Sequence, residues 1–255
     1  MHLDRRGLYL EAVKQFKEVG GGRIILVQKP SFPHDVEGFI SGVEETIKMC
    51  EDAREFVECY PVIGLHPAEF DRLFNRGKKE LCYKILDTVE SYYEERKVVG
   101  MGEFGRPHYP VSSETMAEAH LYMMEALKRA RILDCPLQLH TESLDDSGIQ
   151  ELDALVEKIQ FKKAVKHFSP PSLAGYSVMI PSVLATESNI EKALKSEKKF
   201  LMETDYIDDF RRPGAVLGPK TVPRTTKNLV RKGILTEEMV ARIHEDEVKK
   251  LYSIE

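Results

Sequence analysis

No apolar run in this sequence approaches the roughly 20 residues needed to cross a bilayer, and the opening stretch MHLDRRGLYLEAVK has no signal-like hydrophobic segment. These absences predict a cytoplasmic protein with no membrane partner. Cysteine is scarce. Cys50, Cys59, Cys82 and Cys135 form no CxxC pair, which excludes a disulfide scaffold and zinc held by thiolates, and predicts reduced thiols. There is also no excess of positive charge: 37 Lys and Arg against 42 Asp and Glu leave a net charge of −5. A broad electropositive surface for tight, non-specific duplex binding is therefore excluded. A nucleotide or phosphodiester substrate is not, because bound cations reverse the local sign inside a pocket. Finally, no linker, low-complexity tract or fixed-period repeat interrupts the 255 residues, so residues 1–255 read as one domain of a length common for a single α/β barrel.

What is present is an alternation. Short apolar, β-branched runs predict strands at Arg23–Lys29, Val57–His66, Val98–Gly105, Pro136–Thr141, Ala164–Ser169, Ser177–Val183 and Phe200–Tyr206. Amphipathic patterns between them predict helices around residues 7–19, 37–54, 76–95, 114–132, 147–160 and 189–197, with a helical tail over 223–231 and 236–252. Strands separated by helices imply βαβ units and a parallel sheet. Seven strands leave an open sheet and eight close a barrel. The expected fold is thus a (β/α)8 barrel whose first strand is truncated or lies at the extreme N-terminus, just before His2.

The polar residues collect at the ends of these runs. His66 ends VIGLHP, Glu103 lies in VVGMGEFG, His140 ends PLQLH, His167 lies in AVKHF and Asp205 ends FLMETD. In a barrel such positions face the C-terminal rim, where active sites of this fold are built. His2, in HLD, joins them if it ends the first strand. Imidazoles with carboxylates and no cysteine suit one or two divalent ions drawn from Zn²⁺, Mn²⁺, Mg²⁺, Fe²⁺, Co²⁺ and Ni²⁺. Two ions bridged by a carboxylate would activate a water and clamp a phosphoryl or carbonyl oxygen. Glu103, on a middle strand, suits the bridge; Asp205, on the last, suits a ligand that also accepts the water's proton.

Taken in order, HLD, GLHP, GEFG, QLHTES, KHFSP and METD resemble the successive signatures of the TatD-like metal-dependent hydrolases, barrels of the amidohydrolase superfamily. The resemblance spans residues 2 to about 206, and the tail beyond it is similar to archaeal members. It implies a ligand set of His2, Glu103, His140, His167 and Asp205, with Glu103 shared between two ions, and it implies cleavage of DNA phosphodiesters. Two alternatives stay open: hydrolysis of an amide or lactone, which the same superfamily site serves, and a catalytically impaired metal-binding barrel.

The chain departs from the pattern in three places. The first histidine of the family's HxH pair would fall one residue before Met1, implying either a translation start further upstream or a first metal position that is weak. The run GEFGRPHYP adds Arg106 and His108 beside Glu103, and the loop YIDDFRRPGAVLGPKTVPR adds Arg211 and Arg212. With His66, these four are expected to contact an anionic substrate, for which guanidinium groups are suited. Glu142 and Glu203 are expected to be structural, turned away from His140 or into the wall. His34, His120 and His244 are expected to be solvated.

Overall fold

The computed structural model describes residues 1–212 and 216–255. Residues 213–215, inside the Arg-, Pro- and Gly-rich loop after Asp205, lie outside the described residues. Seven strands pair in chain order into one all-parallel sheet. They are β1 (Arg23–Val27), β2 (Glu58–Ile63), β3 (Gly100–Gly105), β4 (Leu137–His140), β5 (Ala164–Ser169), β6 (Ile180–Leu184) and β7 (Leu201–Glu203). Helix α1 (Leu10–Glu18) precedes β1, and α2 (Val36–Ala53), α3 (Pro67–Phe74), α4 (Lys79–Glu94), α5 (Ser113–Ile132), α6 (Asp146–Lys158) and α7 (Glu187–Ala193) fall between the strands. After β7 come α8 (Thr221–Arg231), α9 (Glu237–Ala241), a π turn over Arg242–Asp246, and α10 (Glu247–Tyr252).

The sheet curls into a (β/α)8-type barrel. Where an eighth strand would stand between β7 and β1, Met1 and His2 make the join. The Val27 amide donates to the Met1 carbonyl at 3.0 Å, His2 N donates to the Tyr206 carbonyl at 2.7 Å, and Asp208 N donates to the His2 carbonyl at 3.0 Å. His2 and Ile207 form an isolated parallel bridge. A buried carboxylate reinforces the seam: Asp208 accepts from the amides of Asp4, Leu8 and Tyr9 at 3.2, 2.8 and 2.8 Å.

Inside the barrel, Val27, Val62, Val165 and Leu201 from β1, β2, β5 and β7 pack against Leu251 and Tyr252 of α10. The helical tail thus plugs the interior. A larger apolar layer lies between sheet and helices, where Phe70 and Phe104 meet the fully buried ring of Tyr122 at 4.8 and 5.8 Å. All four cysteines are buried and unpaired. No helix among the described residues is long and apolar enough to cross a membrane.

Three departures from the sequence expectation have a visible physical cause. The expected strand Ser177–Val183 begins only at Ile180, because the buried Asp153 carboxylate takes the amides of Ser177, Val178 and Met179 (2.8–3.2 Å) away from any ladder. The expected Phe200–Tyr206 shortens to Leu201–Glu203, and Asp205 turns out at φ 47°. Helix α3 fills a stretch with no expected element. Its start was legible: Pro67 stands at the first helical position, and the Glu69 side chain accepts from the His66 amide at 3.1 Å in a capping box.

Candidate metal centre

Glu103 lies within β3, a strand buried along its whole length. Its neighbour in the ladder is β4, in register Gly105↔His140. The approach is so close that a Cβ on Gly105 would sit 1.8 Å from the His140 carbonyl oxygen, and Gly105 itself has φ 154°, a conformation open only to glycine. Glycine here is what brings Glu103 and His140 to one point on the rim.

Around the 4 %-exposed Glu103 side chain the histidines divide between its two oxygens. Oε2 faces His2 Nε2 at 3.8 Å and His66 Nε2 at 3.9 Å. Oε1 faces His167 Nε2 at 3.3 Å and His140 Nδ1 at 3.5 Å. Asp205 Oδ1 completes the ring, 3.8 Å from His2 Nε2 and 3.6 Å from His167 Nε2. These separations exceed those of hydrogen bonds. The shorter of them, 3.3–3.6 Å, come near the ~3.4 Å that separates two donor atoms about 2.1 Å from a shared cation at a tetrahedral angle. All five residues expected as ligands from the sequence therefore meet at one place.

The second nitrogen of each ring shows which lone pair is free. His2 Nδ1 lies 3.0 Å from the Val27 carbonyl, an acceptor, so Nδ1 carries the proton and Nε2 is bare. His167 Nδ1 donates to Glu203 Oε1 at 2.9 Å, which turns Nε2 toward Glu103 and Asp205, where a cation would take the place of its proton. This is the carboxylate–imidazole arrangement that orients metal-ligating histidines. His140 turns a buried Nδ1 with no hydrogen-bond partner toward Glu103. An orphaned buried acceptor beside a carboxylate is costly unless a cation joins them. The donor set thus fits a divalent ion.

His66 is different. By distance alone, His66, Glu103 and His140 form a group that could hold a metal ion. However, His66 Nδ1 accepts the Ala68 amide at 3.1 Å at the start of α3. A neutral ring whose Nδ1 accepts must carry its proton on Nε2, so the face turned to the site is an N–H donor suited to an anionic oxygen rather than a ligand lone pair.

Burial and neighbouring charge divide the cluster into groups that gain protons, His167 and Asp205, and groups that lose them, Glu103, His2 and His66. Burial opposes charge on His167, yet Glu203, Glu103 and Asp205 override it and push its pKa up to about 9. Burial would raise Glu103, but His167, His140 and His2 hold it well below its ordinary value. Asp205 is pushed up to about 6 by burial, with His167 pulling the other way. Burial lowers His2 to about 4 and His66 to about 3.

The remaining expected residues lie as follows. Arg106 is engaged with Glu142, Nε at 3.1 Å and a second nitrogen at 2.7 Å. His108 Nδ1 stands 2.8 Å from His140 Nε2. Arg211 is exposed and bonded to Asp209 at 3.1 Å, and Arg212 is exposed. Two expectations need correction. Glu203 is not turned into the wall: it accepts from His167, from the Phe168 amide at 2.8 Å and from the Ser182 hydroxyl. Strand alternation already places residues 203 and 205 on one face, so the signal was present. His244, expected to be solvated, is half-buried and bonded to Thr226 Oγ1 at 2.9 Å. His34 is exposed as expected, and His120 is half-buried.

A cavity of about 810 Å³ is lined by residues of β1, β7 and α8, and by Glu103, His167 and Asp205.

A curled parallel sheet that gathers histidines and carboxylates at one rim defines a class by fold, the (β/α)8-type barrels. The family model described as TatD related DNase matches residues 1–253, and the chain belongs to that family. An uncharacterized protein of Methanocaldococcus jannaschii is 33% identical over 263 residues, covering 99% of this chain and 93% of its own. Among solved structures, the Escherichia coli TatD homolog YjjV superposes with TM-score 0.67 at 18% identity, covering 96% of this chain and 92% of that one. An organophosphorus hydrolase from Deinococcus radiodurans gives TM-score 0.66 at 11% identity, with coverage of 95% and 82%. A TatD family hydrolase from Entamoeba histolytica gives 0.61 at 14%, with coverage of 96% and 89%. At these identities the likeness to solved structures is one of fold.

Proposed function

We propose that this protein is a cytoplasmic, divalent-metal-dependent hydrolase acting on phosphodiester bonds, in DNA or a nucleotide. The observation that carries this reading is the division of imidazoles between the two oxygens of Glu103. His2 and Asp205 would hold one ion with Glu103 Oε2; His140 and His167 would hold a second with Oε1. When bound, such ions polarise a phosphoryl oxygen and acidify a water.

The chain's own groups supply the rest. Asp205, reaching both halves of the cluster, accepts the proton of the attacking water. His66 presents its Nε2–H to a substrate oxygen. Arg106 and His108 stand beside the centre, and Arg211 and Arg212 lie on the loop after β7, as further contacts for an anionic substrate.

The test pairs metal content with hydrolysis of bis(p-nitrophenyl) phosphate and of single-stranded and duplex DNA, before and after chelation. Bound metal and chelator-sensitive cleavage are expected. Glu103→Gln should lower kcat by at least ~100-fold, more than the loss of an outer partner of a ligand typically costs. A protein that takes up no metal, or a Glu103→Gln variant that retains two ions and full rate, overturns the reading.

A further inference from the structure

Three imidazoles turn a nitrogen to Glu103 or Asp205 as ligand lone pairs, and the opposite nitrogen of each has a distinct partner. For His2 it is the Val27 carbonyl and for His167 the Glu203 carboxylate, both of which only accept. For His140 it is another imidazole, with His108 Nδ1 at 2.8 Å from His140 Nε2. Two ring nitrogens at that distance share one proton, and the side on which it resides decides what His140 can do.

If His108 donates, His140 must carry its proton on Nδ1. That N–H then faces Glu103 Oε1 at 3.5 Å, too far for a sound hydrogen bond and in the way of a cation. If His140 donates, Nδ1 is a bare lone pair aimed at the carboxylate, the same state His2 and His167 reach through their acceptors. Only the second arrangement makes all three rings equivalent toward the centre. His108 can serve as the acceptor because its other nitrogen is not so constrained: the residue is exposed, and its ring packs edge-on against Tyr109.

We propose that His108 holds His140 in the tautomer that directs a bare Nδ1 to Glu103, and so is the positioning residue for the half of the site formed by His140 and His167. This assignment rests on the reading of the cluster as a metal centre. It distinguishes the site from one in which a backbone carbonyl or carboxylate fixes every ligand ring. It also gives His108 a role beyond contact with substrate.

The experiment loads the full-length protein with Zn²⁺ and reads the ring nitrogens of ¹⁵N-histidine-labelled protein by NMR, alongside Zn²⁺ affinity by competition with a chelating dye. His140 is expected to carry its proton on Nε2 and to coordinate through Nδ1. His108→Phe should weaken Zn²⁺ binding at this half of the site by ~10–100-fold, the range for losing an outer partner of a ligand. His108→Gln, whose amide oxygen can accept the same proton, should restore affinity to within a few-fold of wild type. A His140 ring protonated on Nδ1, or a folded His108→Phe protein that binds Zn²⁺ as tightly as wild type, overturns the role of His108 and leaves the metal centre standing. Wild-type protein that binds no Zn²⁺ overturns the reading of the centre itself.

Discussion

Between β2 and β5 the barrel wall is held by ladder hydrogen bonds and by a glycine that lets neighbouring strands nearly touch. Between β7 and β1 the same wall is joined by Met1 and His2, laced to the loop after β7 by Asp208. The two regions carry different parts of the candidate site. Glu103, His140 and His167 sit on the closed arc, where backbone position is set by packing of β3, β4 and β5 against one another. His2 and Asp205 sit at the seam, where position depends on a few polar contacts, and where Asp205 adopts φ 47°. A site assembled this way has one half framed by the sheet and one half held by side chains. Side-chain clamps are easier to release than a ladder, so the halves should respond differently to mutation.

The largest effect should come from the closed arc. Gly105→Ala places a methyl carbon 1.8 Å from the His140 carbonyl oxygen at φ 154°. We expect a loss of more than about 4 kcal/mol of stability, the range reserved for severe steric or backbone conflict, or no folded protein at all. Urea unfolding checks this, and a near-normal midpoint would show that the β3–β4 wall yields as readily as the seam.

Asp208→Ala should be the next largest. It leaves the amides of Asp4, Leu8 and Tyr9 without their buried acceptor. The expected cost is about 2–4 kcal/mol, with faster amide exchange confined to residues 1–9 and the loop after β7. Exchange that rises equally across β3 and β4 would erase the distinction between the two regions.

The smallest effect concerns His244, which lines the same cavity as Glu103. Burial lowers its pKa, with Glu245 pulling the other way and not prevailing. The unfolded chain binds a proton below its ordinary value of about 6.5 while the folded chain does not, so His244 lowers stability progressively as pH falls through that value. His244→Gln removes the titration and can keep a bond to Thr226. Its stability relative to wild type should therefore improve on acidification from pH 7.5 to 5.5. A pH-independent difference in unfolding free energy would place the proton elsewhere.

Most of the site was legible in the sequence because a parallel strand ends where its side chains reach the rim. An apolar run followed by His, Glu or Asp marks that end without reference to anything distant. The same locality explains the misplacements. Ser177–Val178–Met179 have strand-like residues, yet their amides go to Asp153, whose distance in the chain hides the competition. Glu203 shares the face of Asp205 by simple alternation along its own strand, a relation that its position relative to His140 does not show. His244 resembled a solvated residue of a charged helix until α8 packed against it.

The chain by itself determined the alternation of strands and helices, the residue types at the strand ends, and hence a parallel barrel with histidines and carboxylates at one rim. Only the tertiary structure decided how those groups share protons. Val27, Glu203 and His108 each reach a ligand candidate's far nitrogen across the fold, while Ala68 uses the near side of His66 as a helix cap. A ring has two nitrogens of opposite role, and which one faces the site depends on a hydrogen-bond partner that, for the three ligand candidates, stands on another strand or loop.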